Sequence, residues 1–258
     1  MKKITKGDEM KKITKGDGMK KIGFISCIIL LAAGGACADV LFASADAMID
    51  GGDTDTNFGA ATQLFLRGGG GANTEKLYYQ FDVEGILGSG EVFDGVEFSI
   101  ATHPNQPVNA TGFNWTLHGI TDNNDSWTES GITWDNAPKN DTSGTGVVSG
   151  GTTNLANFTF ASVPAGTATY TISGAGLDEY LNWKAGAIAD PYGNGAADNT
   201  VATIIVTANN SSLGRILSKE GTGVNDPQLS YTVIPEPATI GLFSVCAGLL
   251  LVSRRLLL

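Results

Sequence analysis

The feature that most constrains the fold of this chain is a series of short β-forming segments separated by loops rich in Gly, Asn, Asp and Ser. The segments are rich in β-branched and aromatic residues, and several alternate apolar with polar side chains, as half-buried strands require. Tyr170 and Ile172, for example, fall on one face of their segment. We therefore predict an all-β fold, a single jelly-roll-like β-sandwich, with strands at residues 76–81, 92–101, 113–119, 156–162, 168–172, 201–208 and 228–233.

In one segment, residues 176–184, the apolar side chains recur with the period of a helix and not of a strand. Leu177, Tyr180 and Leu181 recur at helical spacing within residues 176–184, so we predict one short helix there. Nothing in the composition marks a linker inside residues 39–233, which predicts a single domain over that range. The composition indicates loops at residues 68–73, 102–112, 139–155 and 190–200.

The N-terminal segment indicates export. The first nine residues are repeated in the next nine with one change, and a third copy begins at Met19. We predict that translation starts there and that residues 1–18 are a mis-assigned start or a repeat. A basic stretch, an apolar stretch and the small residues Ala36 and Ala38 follow, in the order of a secretory signal peptide. We predict cleavage before Asp39.

The C-terminal segment indicates sorting to the cell surface. Pro235, Glu236 and Pro237 precede an apolar run of 15 residues, and Arg254 and Arg255 follow it. As a helix this run spans about 22 Å, less than the ~30 Å hydrocarbon core of a bilayer. The layout resembles the PEP-CTERM sorting signal, which implies transient membrane contact and cleavage by an exosortase-like enzyme; a weak tail anchor is the alternative. The predicted segments are residues 1–18 (start or repeat), 19–38 (signal peptide), 39–233 (β-sandwich) and 234–258 (sorting segment).

The charge of the predicted domain limits its partners. The whole chain has a net charge of −10, but residues 39–234 hold 6 Lys and Arg against 22 Asp and Glu, a net charge of −16. So negative a domain disfavours nucleic acid and anionic membrane surfaces and favours divalent cations. The three cysteines all lie outside this range, so we expect no disulfide in the domain.

Three segments in chain order resemble the DNRLRE domain, a β-sandwich module of exported microbial proteins related to alginate-type carbohydrate-binding modules. The most specific is the tryptophan segment, residues 126–138, with the sequence SWTESGITWDNAP. The resemblance implies polysaccharide binding without catalysis. Alginate binders need cationic side chains, which are scarce here, so a polyanionic glycan is disfavoured unless metal ions bridge it. The other resembling segments are residues 45–52 with 57–59 and 64–67, and residues 217–220 with 227–231.

A candidate metal site lies in the acidic stretch that follows residue 50. Asp53, Asp55 and Asn57 place oxygen ligands at alternating positions, which suits Ca²⁺, the one cofactor we consider. The spacing is not that of an EF-hand, because Phe58 stands where that loop has glycine and Leu64 where it has the closing Glu. The alternative, which we prefer, is a solvated acidic turn.

Exposed aromatic rings are the candidates for sugar stacking. Tyr192 lies in a loop rich in Gly and Asn, and Trp183 lies on the polar flank of the predicted helix, so both are candidate glycan-binding residues. Trp127 and Trp134 belong to the tryptophan segment, and we expect them to be structural, covering part of the core. Trp115 alternates with apolar residues in a strand and is expected in the core.

Catalysis is not predicted. His103 and His118 are the only histidines, and no nucleophile or zinc motif surrounds them. With so few His and Arg residues, a polysaccharide-degrading site is hard to assemble.

We therefore predict an exported protein, at the cell surface or in the extracellular matrix, that binds polysaccharide. The alternative is a structural surface or biofilm protein that has no defined sugar site. Exposed aromatic residues beside a concave sheet would favour polysaccharide binding, and a surface without them would favour the structural role.

Overall fold

The computed structural model describes residues 38–105, 113–160, 166–195, 201–221 and 225–235, and these form eleven strands and one α-helix. Each predicted strand is found, and the predicted helix is confirmed. The strands are β1 Asp39–Phe42, β2 Ala45–Asp50, β3 Gln63–Gly68, β4 Thr74–Asp82, β5 Glu91–Ala101, β6 Phe113–Ile120, β7 Thr152–Phe160, β8 Thr169–Ser173, β9 Val201–Ala208, β10 Gly214–Leu217 and β11 Gln228–Pro235. The helix α1 spans Ala175–Lys184, and a 3-10 turn at Gly71–Asn73 precedes β4.

The strands form two antiparallel sheets, which confirms an all-β sandwich; the jelly-roll connection stays a prediction. The small sheet has the order β1-β11-β5-β8. The large sheet has the order β10-β3-β4-β9-β6-β7, and β2 also pairs with β4. One predicted loop is partly wrong, because β7 begins at Thr152. The polar residues there pair with β6 in spite of their turn-forming composition, as in Thr152 with Ile120.

The main core lies between the two sheets. Tyr79 and Phe81 project from β4 and meet Phe98 of β5 edge to face, with ring centroids 5.3 and 6.2 Å apart. All three side chains are fully buried. Burial of this size contributes about 1.5–3 kcal/mol per large apolar side chain, which makes the contact between β4 and β5 a main source of stability.

The outer face of β4 is also buried, by the tryptophan segment. Because side chains alternate along a strand, Tyr78 points away from the main core. It forms a second apolar cluster with Trp127 and Trp134, and its ring centroid lies 6.0 Å from that of Trp127. Trp127 and Trp134 are 8% and 3% exposed, so both are structural, as expected.

The helix α1 is buried on more than one side. Leu177, Tyr180 and Leu181 enter the main core, as the helical spacing predicts. Asn182 and Lys184 are buried as well. The helix therefore has no wide solvent face of the kind that a simple amphipathic pattern predicts.

The predicted export and sorting elements lie mostly beyond the described ranges. Residues 1–18, Ala36 and the sorting residues Glu236, Pro237, Arg254 and Arg255 are outside them. Ala38 and Asp39 are described, and β1 begins at Asp39. Pro235 ends β11. Among the helices of the described part, none is both long and apolar enough to cross a membrane.

Candidate ligand-binding site

The tryptophan segment is held on the large sheet by side-chain hydrogen bonds to its backbone. The Asn57 amide donates to the carbonyl oxygens of Glu129 and Ile132, both at 2.7 Å. Gln80 of β4 donates to the carbonyl oxygen of Trp127 at 3.1 Å. Because its backbone is fixed at several points, this loop presents its exposed side chains in a preorganised arrangement.

A cavity of about 450 Å³ opens on the tryptophan segment. Its wall combines exposed polar side chains, Asn124, Ser126 and Thr128, with the edges of buried Trp127 and Ile132. Hydroxyl and amide groups beside a small apolar surface match the hydroxyl groups and C–H faces of a sugar. The cavity is therefore the candidate ligand-binding site.

Three carboxylates from distant parts of the chain meet beside the same segment. Asp46 lies on β2, Glu129 in the tryptophan segment and Glu220 after β10, and one oxygen from each lies within 4.8 Å of the others. The Asp46 N–H donates to Glu129 Oε1 at 2.9 Å. Lys219 Nζ contacts Glu129 Oε2 at 3.1 Å and Glu220 Oε1 at 2.7 Å.

Asp46 is the buried member of this carboxylate cluster. It is 0% exposed, and burial raises its pKa to about 8, with the charges of Glu220 and Glu129 acting in the same direction. The Lys219 N–H donates to Asp46 Oδ2 at 2.8 Å, which works against this rise in pKa. A cavity of about 170 Å³ lined by Glu129, Glu220 and Asn57 leads to the cluster from solvent.

The acidic stretch at residues 53–57 has the contacts of a polar turn. Asp53 Oδ1 accepts a hydrogen bond from the Thr56 hydroxyl at 2.7 Å, and Asp55 is exposed. Asn57 Oδ1 accepts the N–H of Gly59 while its amide group anchors the tryptophan segment. Asn57 therefore anchors the tryptophan segment to the large sheet. Ca²⁺ binding at Asp53 and Asp55 stays a prediction.

The prediction of Trp183 as a sugar-stacking residue is wrong in this fold. Its side chain is 1% exposed, so neither ring face is open to a ligand. Trp183 belongs to the main core, where its ring centroid lies 6.1 Å from that of Tyr180, and Tyr192 packs on it edge to face with centroids 5.2 Å apart. Tyr192 is half-buried by this contact, and its role in sugar binding stays a prediction.

The two histidines have structural contacts. His118 Nε2 lies 3.1 Å from the Thr207 hydroxyl within the large sheet. His103 Nδ1 accepts the N–H of Asn105 at 3.1 Å. Burial lowers the pKa of His118 to about 4, with the charge of Lys76 acting in the same direction, so its ring is neutral at pH 7.

The six cationic side chains of the described residues all have partners inside the protein. Three form ion pairs with one carboxylate each: Arg67 with Glu75, Lys139 with Asp122, and Lys184 with Asp125. Lys76 donates to the Asn140 side-chain oxygen and to the carbonyl oxygens of Asp141 and Gly146. Lys219 contacts the carboxylates of Glu129 and Glu220, and Arg215 lies over the ring of Phe65.

Comparison with known proteins indicates the class of this region. Residues 38–161 match the family model of carbohydrate-binding module family 96. The matched part runs from β1 to the end of β7 and includes the tryptophan segment, the larger cavity, Asp46 and Glu129. This part of the chain is therefore similar to a carbohydrate-binding module. No curated protein matches the chain.

Proposed function

We propose that the protein binds polysaccharide, without catalysis, at the cavity on the tryptophan segment. The observation that carries this proposal is the position of the cavity, which lies within the residues that match a carbohydrate-binding module. The exposed hydroxyl and amide groups of its wall would provide hydrogen bonds to sugar hydroxyls. The segment's resemblance to the DNRLRE domain supports the same function.

The charges favour a neutral polysaccharide over a polyuronate. A polyuronate carries a carboxylate on every sugar, and binding it would require cations that are available to the ligand. The six cations of the described residues are already engaged by groups of the protein; Lys139, which lines the cavity, forms an ion pair with Asp122. The domain as a whole carries an excess of carboxylates. Like-charge repulsion would therefore oppose a polyanionic chain.

The proposed setting is the cell surface or extracellular matrix. The signal-peptide pattern ending at Ala36 and Ala38 and the PEP-CTERM-like tail with Pro235, Glu236 and Pro237 support export and processing by an exosortase-like enzyme. The position of β1, which begins at Asp39 directly after the expected cleavage point, is compatible with that processing. Sorting would bring a polysaccharide-binding domain to where secreted glycans are found.

Native gel electrophoresis in gels that contain a polysaccharide tests the proposal. We expect retardation by a neutral glycan and none by alginate or polygalacturonate. Thr128→Trp, at an exposed position of the cavity wall, should abolish the retardation by filling the cavity. Ser173→Trp, at an exposed position of the small sheet, is the matched control and should migrate as the unchanged protein does. If the Thr128→Trp variant is retarded as strongly as the unchanged protein, the polysaccharide binds elsewhere on the domain.

A structural role in the matrix is the second candidate, and one observation favours it. The four tryptophans are all described and all buried, between 1% and 8% exposed, so none offers a ring face for sugar stacking. A folded protein that is retarded by no glycan in the panel would favour this role.

A further inference from the structure

The carboxylate cluster of Asp46, Glu129 and Glu220 has the geometry of a cation site. These residues are far apart in sequence, yet one oxygen of each lies within 4.8 Å of the others. Ca²⁺ binds carboxylate oxygens at about 2.3–2.6 Å, so two ligands of the same ion are at most about 5 Å apart. Three oxygens at this spacing can bind one Ca²⁺ together.

Two carboxylate oxygens of the cluster are buried with no hydrogen-bond donor among the described residues. They are Asp46 Oδ1, on a side chain that is 0% exposed, and Glu220 Oε2. A buried carboxylate oxygen without a partner is costly, because the water that it loses is not replaced. A protonated Asp46 that shares its proton with Glu220, or a cation bound between the two side chains, would satisfy both atoms.

The charge of the cluster suits a divalent cation. Three carboxylates and the Lys219 ammonium leave a net charge of −2 when all four groups are ionised. Because burial raises the pKa of Asp46 to about 8, this fully ionised state requires a cation in place of the Asp46 proton at pH 7. One divalent cation would neutralise that charge and satisfy both oxygens at once. The cavity lined by Asn57, Glu129 and Glu220 gives an ion access from solvent and holds space for the water ligands that complete its coordination.

We propose that Asp46, Glu129 and Glu220 bind one Ca²⁺ ion per chain. The ion would connect three separate parts of the fold: the start of β2, the tryptophan segment and the turn after β10. It would therefore fix the tryptophan segment on the large sheet. The proposal rests on the cluster alone and does not depend on polysaccharide binding.

Lys219 is the competitor of the ion in this site. Its ammonium group contacts Glu129 Oε2 and Glu220 Oε1, on two of the three carboxylates of the cluster. An ion that binds Asp46 Oδ1 and Glu220 Oε2 must tolerate this positive charge or displace it. Lys219→Met removes the charge and leaves the carboxylates, so it should strengthen Ca²⁺ binding.

Isothermal titration calorimetry of the full chain, treated with EDTA and free of polysaccharide, tests the proposal. We expect one Ca²⁺ per chain, weaker binding of Mg²⁺, and a rise in Tm with Ca²⁺. Glu220→Gln and Glu129→Gln should each weaken Ca²⁺ binding about tenfold or more, because they remove ligand charge. Glutamine at position 129 still accepts the Asp46 N–H, so that variant should fold.

Glu84→Gln and Glu97→Gln are the matched controls, since each removes one exposed acidic charge that belongs neither to the cluster nor to the turn at residues 53–57. They should bind Ca²⁺ as the unchanged chain does, and Lys219→Met should bind it more tightly. A folded chain that shows neither heat nor a Tm shift at millimolar Ca²⁺ would overturn the proposal. Binding that survives Glu220→Gln but is lost in Asp55→Asn would overturn it too, and would place the ion in the turn.

Discussion

The Asn182 side chain of α1 forms with Phe93 of β5 the two backbone hydrogen bonds that a neighbouring strand would otherwise form. Its Oδ1 accepts the Phe93 N–H at 2.7 Å, and its Nδ2 donates to the Phe93 carbonyl oxygen at 2.9 Å. β8, the strand beside β5 on this side, pairs only with residues 97–101. The carboxamide of Asn182 therefore satisfies both backbone groups of a strand residue that β8 does not reach.

Asn182→Ala should lower the free energy of unfolding by about 2–4 kcal/mol, because it leaves a buried N–H and a buried carbonyl without partners. Urea unfolding followed by circular dichroism measures the loss. Glu179→Gln, at an exposed position of the same helix, keeps an acceptor for the Tyr192 hydroxyl; it is the control and should change stability by less than about 0.5 kcal/mol. Equal effects of the two substitutions would show that Asn182 does not carry this role.

Lys184 and Asp125 form an ion pair inside the domain, with 0% and 3% of their side chains exposed and 2.7 Å between Nζ and Oδ2. Lys184→Met alone should destabilise the fold by about 3–5 kcal/mol, since it leaves a buried carboxylate uncompensated. The double variant Lys184→Met with Asp125→Leu should recover a large part of that loss. A double-mutant cycle of urea unfolding measures it, and additive losses would contradict a direct coupling between the two residues.

The burial of β4 shows what could be predicted from sequence and what could not. The alternation of Leu77, Tyr79 and Phe81 predicts the face toward the main core. The opposite face, with Tyr78, is covered by a segment about fifty residues further along the chain. Only the resemblance of that segment to a known domain pointed to it, because alternation describes one strand and not its remote partners.

Trp183 and Asp46 have contacts that local sequence pattern could not predict. Helical spacing placed Trp183 on a polar flank, but its ring belongs to the main core and Tyr192 from a loop packs on it. Asp46 has an ordinary strand context, and its significance comes from Glu129 and Glu220, which no local spacing connects to it. Tyr192 follows Trp183 by nine residues but lies outside the helix, and Glu129 and Glu220 are far from Asp46 in sequence, so the periodicity of a single element contains no signal for these contacts.

Gly59 lies against the backbone of the tryptophan segment, which leaves no room for a side chain. A Cβ at this position would overlap the carbonyl group of Glu129. Gly59→Ala should therefore displace the segment and destabilise the fold by about 1–3 kcal/mol, as overpacking does. It should also weaken both proposed ligand interactions, because the segment lines both cavities. Gly150→Ala, at an exposed glycine where an added Cβ meets no other atom, is the matched control for thermal unfolding and for ligand binding.

His118 makes the stability of the fold depend on pH. Its pKa is about 4 in the folded state and about 6.5 when the chain is unfolded, because burial disfavours the charged ring. Between these values the unfolded state binds more protons, so the contribution of His118 to stability is present above pH 6.5 and is lost as the pH falls toward 4.

His118→Gln removes this titration and keeps a polar group near Thr207. Between pH 7 and pH 4.5 the unchanged protein should lose about 2 kcal/mol more unfolding free energy than the variant, as measured by urea unfolding at each pH. The difference between the two proteins is the informative quantity, because Asp46 acts in the opposite direction. Its raised pKa favours the folded state as the pH falls from 8 toward 4, and it does so equally in both proteins. Parallel pH profiles would mean that the His118 ring is already protonated in the folded protein at pH 4.5.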